Sequence, residues 1–536
     1  MNSMIYDPLK EFDEKFKDLH LDNTKKHFDE LVQRSAVNIE ENRKTVKEYS
    51  DLKENLSKIK RKYNLLRFLR VLMIVSLILI PLVILKTTPK IKTLRAEIKQ
   101  ADQKLEELLA LAQRQMAPLN SLFTDRDALN IIEKTVPLIS FAPSFSAEQE
   151  ANMTVNYDFE DQDGNEQSTT DILAGHYNEN PFLFENKLIH KMGIEVYHGY
   201  KTIRWTETYR GSDGKTHTRT RTETLHASVT KPKPFYSTRV LLNYCAQGGP
   251  ELSFSREATH IDKKSEKDVD RYVKKGEKKL KKMTDKAIKK NTDFVSMSNS
   301  DFEVLFGALD RNNEVQFRTL FTPLAQTNMV ELIRSQSGYG DDFNFIKQKK
   351  TNKIISNHSQ GRAVTLCAPA YFSHSFDVIK ENFISKNTEY FKTVYFDFAP
   401  LWAIPIYQER PVHSLKPIPE CSQKYSNKEC EALSNRLGVE YTVHPNTKTR
   451  AILKTFVVNS KNDVDEISVC AYSYDIIPRI DLIPVHGGDG RWHSVPVPWD
   501  DYIPLTATNN FFVAASALAK DQTVIARRND ICIFKN

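Results

Sequence analysis

Residues 199–229 read GYKTIRWTETYRGSDGKTHTRTRTETLHASV, and this stretch decides the fold class of the long C-terminal part of the chain. Threonine-rich alternation runs along both halves. Between them stands Asp-Gly at positions 213 and 214, the favoured pair for a type I′ hairpin turn. The pattern predicts an antiparallel hairpin with one buried face. MTVNYDFEDQDGNEQST, residues 153–169, predicts a second hairpin, which would turn at the Asp-Gly of positions 163 and 164.

The composition sets the outer limits. A chain of 536 residues exceeds a single ordinary core, so several units are expected. Charged residues are 27% and the apolar set 40%, which is typical of folded, mostly soluble chains. The chain has only 17 glycines, which leaves little material for glycine-rich nucleotide loops.

One apolar run interrupts this soluble character. VLMIVSLILIPLVIL, residues 71–85, has no charged side chain, but as a helix it is only about 22 Å long, against a hydrocarbon core of roughly 30 Å. Including the apolar residues just before it, with Arg67 and Arg70 reaching the head groups, gives a predicted transmembrane helix over 65–86. A buried core helix and a re-entrant wedge are the alternatives. The predicted lipid-facing residues are Val71, Leu72, Ile74, Leu77, Ile80 and Leu85.

This helix predicts a single-pass protein of the cell membrane, with membrane lipid as its first partner. The charged N-terminal arm is expected in the cytoplasm, because translocating it is unfavourable. Positive charges are nearly balanced on the two sides of the run, so the side of the large domain stays open.

Helical stripes flank the run. Residues 1–64 carry apolar residues at spacings of three and four, which predicts an amphipathic arm. After the run, a strict heptad stripe predicts a coiled-coil helix that either joins copies into a homo-oligomer or docks on the chain's own globular domain. Its members are Ile91, Leu94, Ile98, Ala101, Leu105, Leu108 and Ala112.

The predicted fold class is therefore α+β, with helices around one transmembrane helix and a large domain rich in antiparallel sheet. The predicted segments are a helical arm 1–64, the transmembrane helix 65–86, a coiled-coil helix 87–117, a helical linker 118–140 and the α+β domain 141–536. An alternative prediction divides this last domain in two near 410–435.

A lysine-rich segment dominates the charge. Residues 263–290 hold thirteen Lys or Arg and five Asp or Glu, a local excess of eight positive charges in a chain whose net charge is +7. Apolar residues at spacings of three and four predict an amphipathic helix with a lysine face, which either lies on anionic lipid or is simply solvated. Nucleic acid is not expected, because arginine is scarce and aromatic interleaving is missing. The lipid-surface candidates are Lys274, Lys275, Lys278, Lys279, Lys281 and Lys282.

A family resemblance follows this helix. SNSDFEVLFGALDRNNEVQFRTLFTPLAQTNMVELI, Ser298–Ile333, resembles the core block of a bacterial membrane-protein family of unknown function, through Phe302, Phe306 and the Leu-Phe-Thr-Pro turn of 320–323. The resemblance implies membrane anchors with a cytoplasmic domain, and it implies no catalytic residue. Alternation at positions 315, 317 and 319 predicts a strand inside the block.

Few residues suggest chemistry. His486, Asp489 and His493 form the best cluster for zinc or acid/base work, beside a strong alternative of a plain glycine turn. Cys421 and Cys430 share a polar loop and are the candidate disulfide, which would require an oxidising compartment. TVYFDFAPLWAIPIY, residues 393–407, carries two prolines and predicts a buried strand pair or core loop. No motif identifies a reaction, and no cofactor is expected.

Three functions remain open from these patterns. The first is a membrane-anchored binding or scaffold protein without catalysis, with an unknown protein partner. The second is a membrane-anchored, metal-dependent hydrolase built on the His486 cluster. The third is a sensor of anionic lipid surfaces that acts through the lysine helix.

Overall fold

A computed structural model describes residues 4–75, 80–160, 164–212, 214–290, 296–411, 416–519, 522–528 and 530–535, without the side chains of 71–75, 80–86, 287, 288 and 290. The chain divides into two compact units. A helical unit comprises Lys10–Pro137 and Leu366–Phe396. A mixed unit comprises Met1–Leu9, Leu138–Thr365 and Asp397–Asn536.

Helices and strands alternate in blocks along the chain. The α-helices are α1 (Pro8–Glu11), α2 (Lys17–Ser35), α3 (Ile39–Val75), α4 (Ile80–Asn120), α5 (Asp127–Thr135), α6 (Ala147–Tyr157), α7 (Glu266–Lys290), α8 (Ser300–Phe306), α9 (Glu314–Leu320), α10 (Pro323–Arg334), α11 (Phe376–Trp402), α12 (Asn427–Ser434) and α13 (Val439–Thr442). The strands are β1 (Ile139–Phe141), β2 (Gln167–Tyr177), β3 (Asn180–Arg210), β4 (Thr216–Cys245), β5 (Ser253–Arg256), β6 (Phe343–Gln348), β7 (Thr351–Ser356), β8 (Ile452–Lys461), β9 (Val464–His486), β10 (Trp492–Ala515), β11 (Val524–Arg528) and β12 (Ile531–Phe534).

The helical unit has an aromatic core. Phe28 of α2, Met116 of α4 and Phe383 of α11 are fully buried in one cluster. Helices α3 and α4 run antiparallel beside each other: Asn42 Nδ2 donates to Gln115 Oε1 at 3.3 Å, and Lys60 Nζ lies 3.0 Å from the Asp102 carboxylate. The ends of these two helices at Val75 and Ile80 therefore lie at the same end of the pair.

The prediction of a transmembrane helix over 65–86 is wrong. In the part of the chain that the structure describes, no helix combines the length and the apolar character that a bilayer crossing requires. The physical reason is that the described residues of the run belong to two antiparallel helices, α3 up to Val75 and α4 from Ile80, so neither helix carries the run along its full length. The predicted single-pass membrane localisation and the transmembrane helix in the predicted fold class are therefore wrong as well. Residues 76–79, with Leu77, and the side chains of Val71, Leu72, Ile74, Ile80 and Leu85 lie outside the described residues.

The heptad stripe of α4 lies on the less exposed side of that helix. Its members from Ile91 to Leu108 are half-buried and Ala112 is fully buried, whereas the intervening polar residues are mostly exposed. Helix α3 of the same chain packs beside α4. The stripe therefore has an intramolecular neighbour, and self-association through it stays a prediction.

The mixed unit contains two antiparallel sheets among the described residues, which confirms the α+β class. One sheet has the strand order β1-β2-β3-β4-β7-β6-β5, and the other has β11-β12-β10-β9-β8. The prediction of a hairpin at 199–229 is confirmed, since β3 and β4 pair in continuous register with Thr202 opposite Thr224. Position 213 of its turn lies outside the described residues, and Gly214 has a φ of 71°.

Two long ribbons project from these sheets. Strand β2 covers β3 only up to Ile189, and β7 covers β4 only from Leu242. Residues 190–210 with 216–241 therefore form a two-stranded first ribbon. Strand β8 covers β9 only up to Tyr472, and β12 covers β10 only from Phe512. Residues 473–486 of β9 with 492–511 of β10 therefore form a two-stranded second ribbon.

The ribbons pack face to face. Ile203, Leu225 and Ala227 of the first ribbon share a buried cluster with Val495 and Val497 of the second. Gly199 allows the two backbones to meet, because a Cβ at that position would lie 2.1 Å from the carbonyl oxygen of Pro496. One face of the first ribbon is thus used for packing, and the other faces outward.

Helix α12 is a charged helix buried in the mixed unit, and β2 and β8 pack against it. Ser426 caps its start, accepting a hydrogen bond from the Glu429 backbone N–H at 3.0 Å. Each buried charge has a partner: Lys428 lies 2.9 Å from Glu185, Glu431 lies 3.3 Å from Lys454, and Glu429 pairs with Arg528. Burial raises the pKa of Glu431 to about 7.

Three predictions of local structure are wrong. Residues 153–157 belong to helix α6, because Ser146 and Gln149 form a capping box that starts a helix there; positions 161–163 lie outside the described residues. Helix α9 replaces the strand predicted at 315–319, since the Asn313 side chain caps its first turn. Helix α11 and a 3₁₀ turn at Pro405–Gln408 stand where a buried strand pair or core loop was predicted at 393–407.

Candidate functional site

Helix α7 confirms the predicted lysine helix. The Ser265 hydroxyl accepts a hydrogen bond from the Asp268 N–H at 3.4 Å, and acidic Glu266 and Asp268 stand in the first turn, where the helix dipole favours negative charge. Val269, Val273 and Leu280 follow on one side at helical spacing and are buried. The sequence thus dictates both where the helix begins and which side it buries.

The apolar side of α7 is docked on the mixed unit. Gly276 brings α7 close to α8, since a Cβ there would lie 2.4 Å from Val304 Cγ1. Glu277 accepts a hydrogen bond from the Ser300 hydroxyl at 2.6 Å. Because this side of the helix is used within the fold, it is not available for insertion into a lipid layer.

The opposite side of α7 presents the lysines. All six lipid-surface candidates are exposed, and within the described residues no acidic group lies within ion-pairing distance of any of them. Pairs such as 274 with 278 and 275 with 279 place like charges at i and i+4, which destabilises a helix by about 0.2–0.5 kcal/mol each. Those residues are Lys274, Lys275, Lys278, Lys279, Lys281 and Lys282.

A cavity of about 560 Å³ adjoins this face, between α7, α8 and β5. Its floor is apolar, with Phe306 and Leu280, and its α7 wall carries Lys275 and Lys279. The facing wall carries Glu257 and Asp310. Since these charges are mixed, the cavity is a less favourable place for an anion than the open lysine face.

The His486 cluster does not assemble. His493 Nε2 lies 3.0 Å from both carboxylate oxygens of Asp489, and this hydrogen bond lowers the Asp489 pKa. His486 pairs with Trp492 across the second ribbon, so His486 and His493 point to opposite faces. Among the described residues, no group of three or more His, Cys, Asp or Glu side chains is placed to hold a metal ion. The hydrolase alternative therefore keeps only one His-Asp pair.

The candidate disulfide residues occupy different environments. Cys421 is half-buried in a loop, whereas Cys430 lies on buried helix α12, and both are free thiols. Burial raises the pKa of the Cys430 thiol well above its usual range, so it stays protonated.

Sequence reasoning missed one polar pair, formed by His198 of β3 and His226 of β4. Their nearest ring nitrogens, Nδ1 of His198 and Nε2 of His226, lie 2.9 Å apart on the exposed face of the first ribbon. The pair could have been found from the register of the predicted hairpin. Pairing outward from the turn places position 198 opposite 228, one diagonal step from 226.

No family model matches this chain, and neither does a curated protein or a solved structure. The resemblance noted for Ser298–Ile333 therefore rests on those residues alone.

Proposed function

We propose that this protein is a non-catalytic binding protein that adsorbs to anionic lipid surfaces through the lysine face of α7. One observation carries the proposal. Six exposed lysines, for which the described residues supply no acidic partner, lie on a helix whose apolar side is already packed within the fold. Their mutual repulsion is relieved when an external anionic surface supplies the missing counter-charges.

The expected strength follows from the number of charges. A lysine close to an anionic lipid surface contributes about 1 kcal/mol, so four lysines give up to about 4 kcal/mol. The contact would bury little apolar area, because Val269, Val273 and Leu280 face inward. Adsorption would thus be reversible and would weaken strongly with salt, since the Debye length falls to about 3 Å at 1 M.

Lipid is favoured over nucleic acid as the anionic partner. Bidentate recognition of phosphate and bases relies on arginine, and α7 has one arginine, Arg271, whose guanidinium pairs with Asp268 at 3.0 Å. A lysine is a point charge that suits a surface of many mobile head groups. The wider prediction of a scaffold with an unknown protein partner stays a prediction.

The test is co-sedimentation of the full chain with vesicles that contain or lack anionic lipid. We expect binding only to anionic vesicles, loss of binding at high salt, and a reduction of up to about 1000-fold when Lys274, Lys275, Lys278 and Lys279 become Gln. The matched control changes Lys25, Lys26, Lys44 and Lys47 to Gln. These four are also exposed helical lysines, so the net charge falls by the same amount.

Equal losses in the two variants would show that net charge, and not α7, governs binding. Binding that survives high salt would mean that apolar insertion dominates. Preference for nucleic acid over anionic vesicles in competition would replace lipid as the partner. Each of these results overturns the proposal.

A further inference from the structure

The outward face of the first ribbon carries a histidine pair that packing does not explain. His198 stands opposite Ser228, and His226 stands opposite Tyr200, so the two imidazoles are diagonal neighbours on one face. Their ring centroids are 5.1 Å apart with planes at 23°, and both side chains are exposed. The opposite face, at Gly199, is the one packed on the second ribbon.

The separation of the two nitrogens matches the bite of a metal chelate. Metal–imidazole bonds of about 2.0–2.1 Å at a right angle place two ligand nitrogens about 2.9 Å apart, whereas a tetrahedral angle places them about 3.4 Å apart. Nδ1 of His198 and Nε2 of His226 are 2.9 Å apart. We propose that this pair binds a divalent transition-metal ion that prefers right-angled nitrogen ligands, namely Cu²⁺ or Ni²⁺.

The ribbon holds the pair in place. Both residues lie inside a continuous antiparallel ladder, and the ring of Tyr200 lies 4.9 Å from that of His226. The ladder fixes the Cα positions, and metal binding requires both rings to rotate about their side-chain bonds, because in the hydrogen-bonded pair the two nitrogens face each other. No third His, Cys, Asp or Glu ligand is assembled within the described residues, so water completes the coordination.

The proton balance is simple. Without metal, one nitrogen of the pair donates its N–H and the other accepts it. To bind the metal, the donating ring moves its proton to its other nitrogen, so that both lone pairs point at the ion. No net proton is released from the neutral pair, and no oxidant or reductant is needed.

The experiment titrates Cu²⁺, Ni²⁺ and Zn²⁺ separately into the full chain, with calorimetry for all three and electron paramagnetic resonance for Cu²⁺. We expect one site of highest affinity with two nitrogen ligands, and tighter binding of Ni²⁺ than of Zn²⁺. His198→Asn and His226→Asn should each weaken this site at least tenfold. The control is His217→Asn, another exposed histidine of the same hairpin, stacked on Tyr209, and it should leave the site unchanged.

Retention of the highest-affinity site in either His198→Asn or His226→Asn would overturn the proposal. An equal loss in the His217→Asn control would do the same, because the metal would then bind to histidines in general. Zn²⁺ binding more tightly than Ni²⁺ would contradict the right-angled geometry. Tryptophan fluorescence of the free variants checks that the ribbons remain packed, since Trp205 and Trp499 lie within them.

Discussion

Replacement of Gly199 by alanine tests the packing of the two ribbons directly. The added Cβ would lie 2.1 Å from the carbonyl oxygen of Pro496 and 2.8 Å from the Cα of Val497. Both contacts are to backbone, and alanine has no side-chain torsion with which to avoid them. The ribbons must therefore separate locally, and the buried contacts of Val495 and Val497 are strained.

Two opposing contributions to the free energy of unfolding decide whether Gly199→Ala stabilises or destabilises the ribbon pair. In a strand without a clash, alanine is more favourable than glycine by roughly 0.5–1 kcal/mol. Overpacking of a close contact costs typically 1–3 kcal/mol, and backbone cannot repack as a side chain does. We therefore expect a net destabilisation of the ribbon pair by about 1–2 kcal/mol.

Gly193→Ala is the matched control on the same strand. Its Cβ would lie 2.9 Å from the ring of Phe235, which is 44% exposed and can shift toward water, and the nearest backbone atom, the carbonyl oxygen of Lys233, is 4.0 Å away. Hydrogen exchange over residues 195–205 and 492–499 should accelerate about five- to thirtyfold in Gly199→Ala and stay near wild type in Gly193→Ala. Unchanged exchange in Gly199→Ala, or equal acceleration in both variants, would refute the close ribbon contact.

Two buried titrating groups give opposite pH dependences. Burial raises the pKa of Glu431 to about 7, so above pH 4.5 the folded chain still holds a proton that the unfolded chain has lost. The free energy of unfolding should therefore fall by up to about 3 kcal/mol from pH 4.5 to 7. Glu431→Gln should flatten this pH dependence in urea unfolding. Burial lowers the pKa of His20 to about 3, so stability should fall as the pH drops below 6.5, by about 3 kcal/mol at pH 4.5. His20→Gln should remove this loss, and a variant whose stability still falls as steeply with acid would contradict it.

The sheet-forming hairpin was predictable because its signals are local. Period-two alternation and an Asp-Gly turn are properties of about thirty consecutive residues, and β3 and β4 follow them in register. The length of the projection was not predictable. It depends on where β2 and β7 stop covering the pair, at Ile189 and Leu242, and those strands come from distant segments.

Two apolar runs led to wrong predictions, each for a different reason. The run at 71–85 was long enough to suggest a bilayer crossing, but its described residues belong to two antiparallel helices, α3 and α4. The run at 393–407 carries two prolines, which favour strand edges and loops, yet most of it continues a helix that begins at Phe376. Hydrophobic content alone does not separate a buried helix from a buried strand when both faces are covered.

The candidate site was also predictable only in part. The lysine helix was predictable from spacing and charge within a single segment, and all six lysines are exposed as expected. The His198 and His226 pair depends on cross-strand register, and the failure of the His486 cluster depends on which face each strand residue takes. A one-residue change in register would exchange these outcomes, because neighbouring strand residues point to opposite faces.

The contrast between α12 and α7 shows what turns charge into a binding surface. Helix α12 is as charged as a surface helix, but each of its buried charges finds an opposite partner on a strand of the same unit, as Lys428 does with Glu185. Removing one partner there would leave an uncompensated buried charge, at a cost of about 3–5 kcal/mol. Helix α7 has the reverse arrangement on its lysine face. The six lysines there are exposed to water and, among the residues that the structure describes, have no acidic partner, so neutralising them should cost little stability. The charges of α12 are therefore matched within the fold, whereas the lysine charges of α7 are free to act on something outside the chain. Removing a partner such as Glu185 should lower stability, and neutralising the α7 lysines should lower binding.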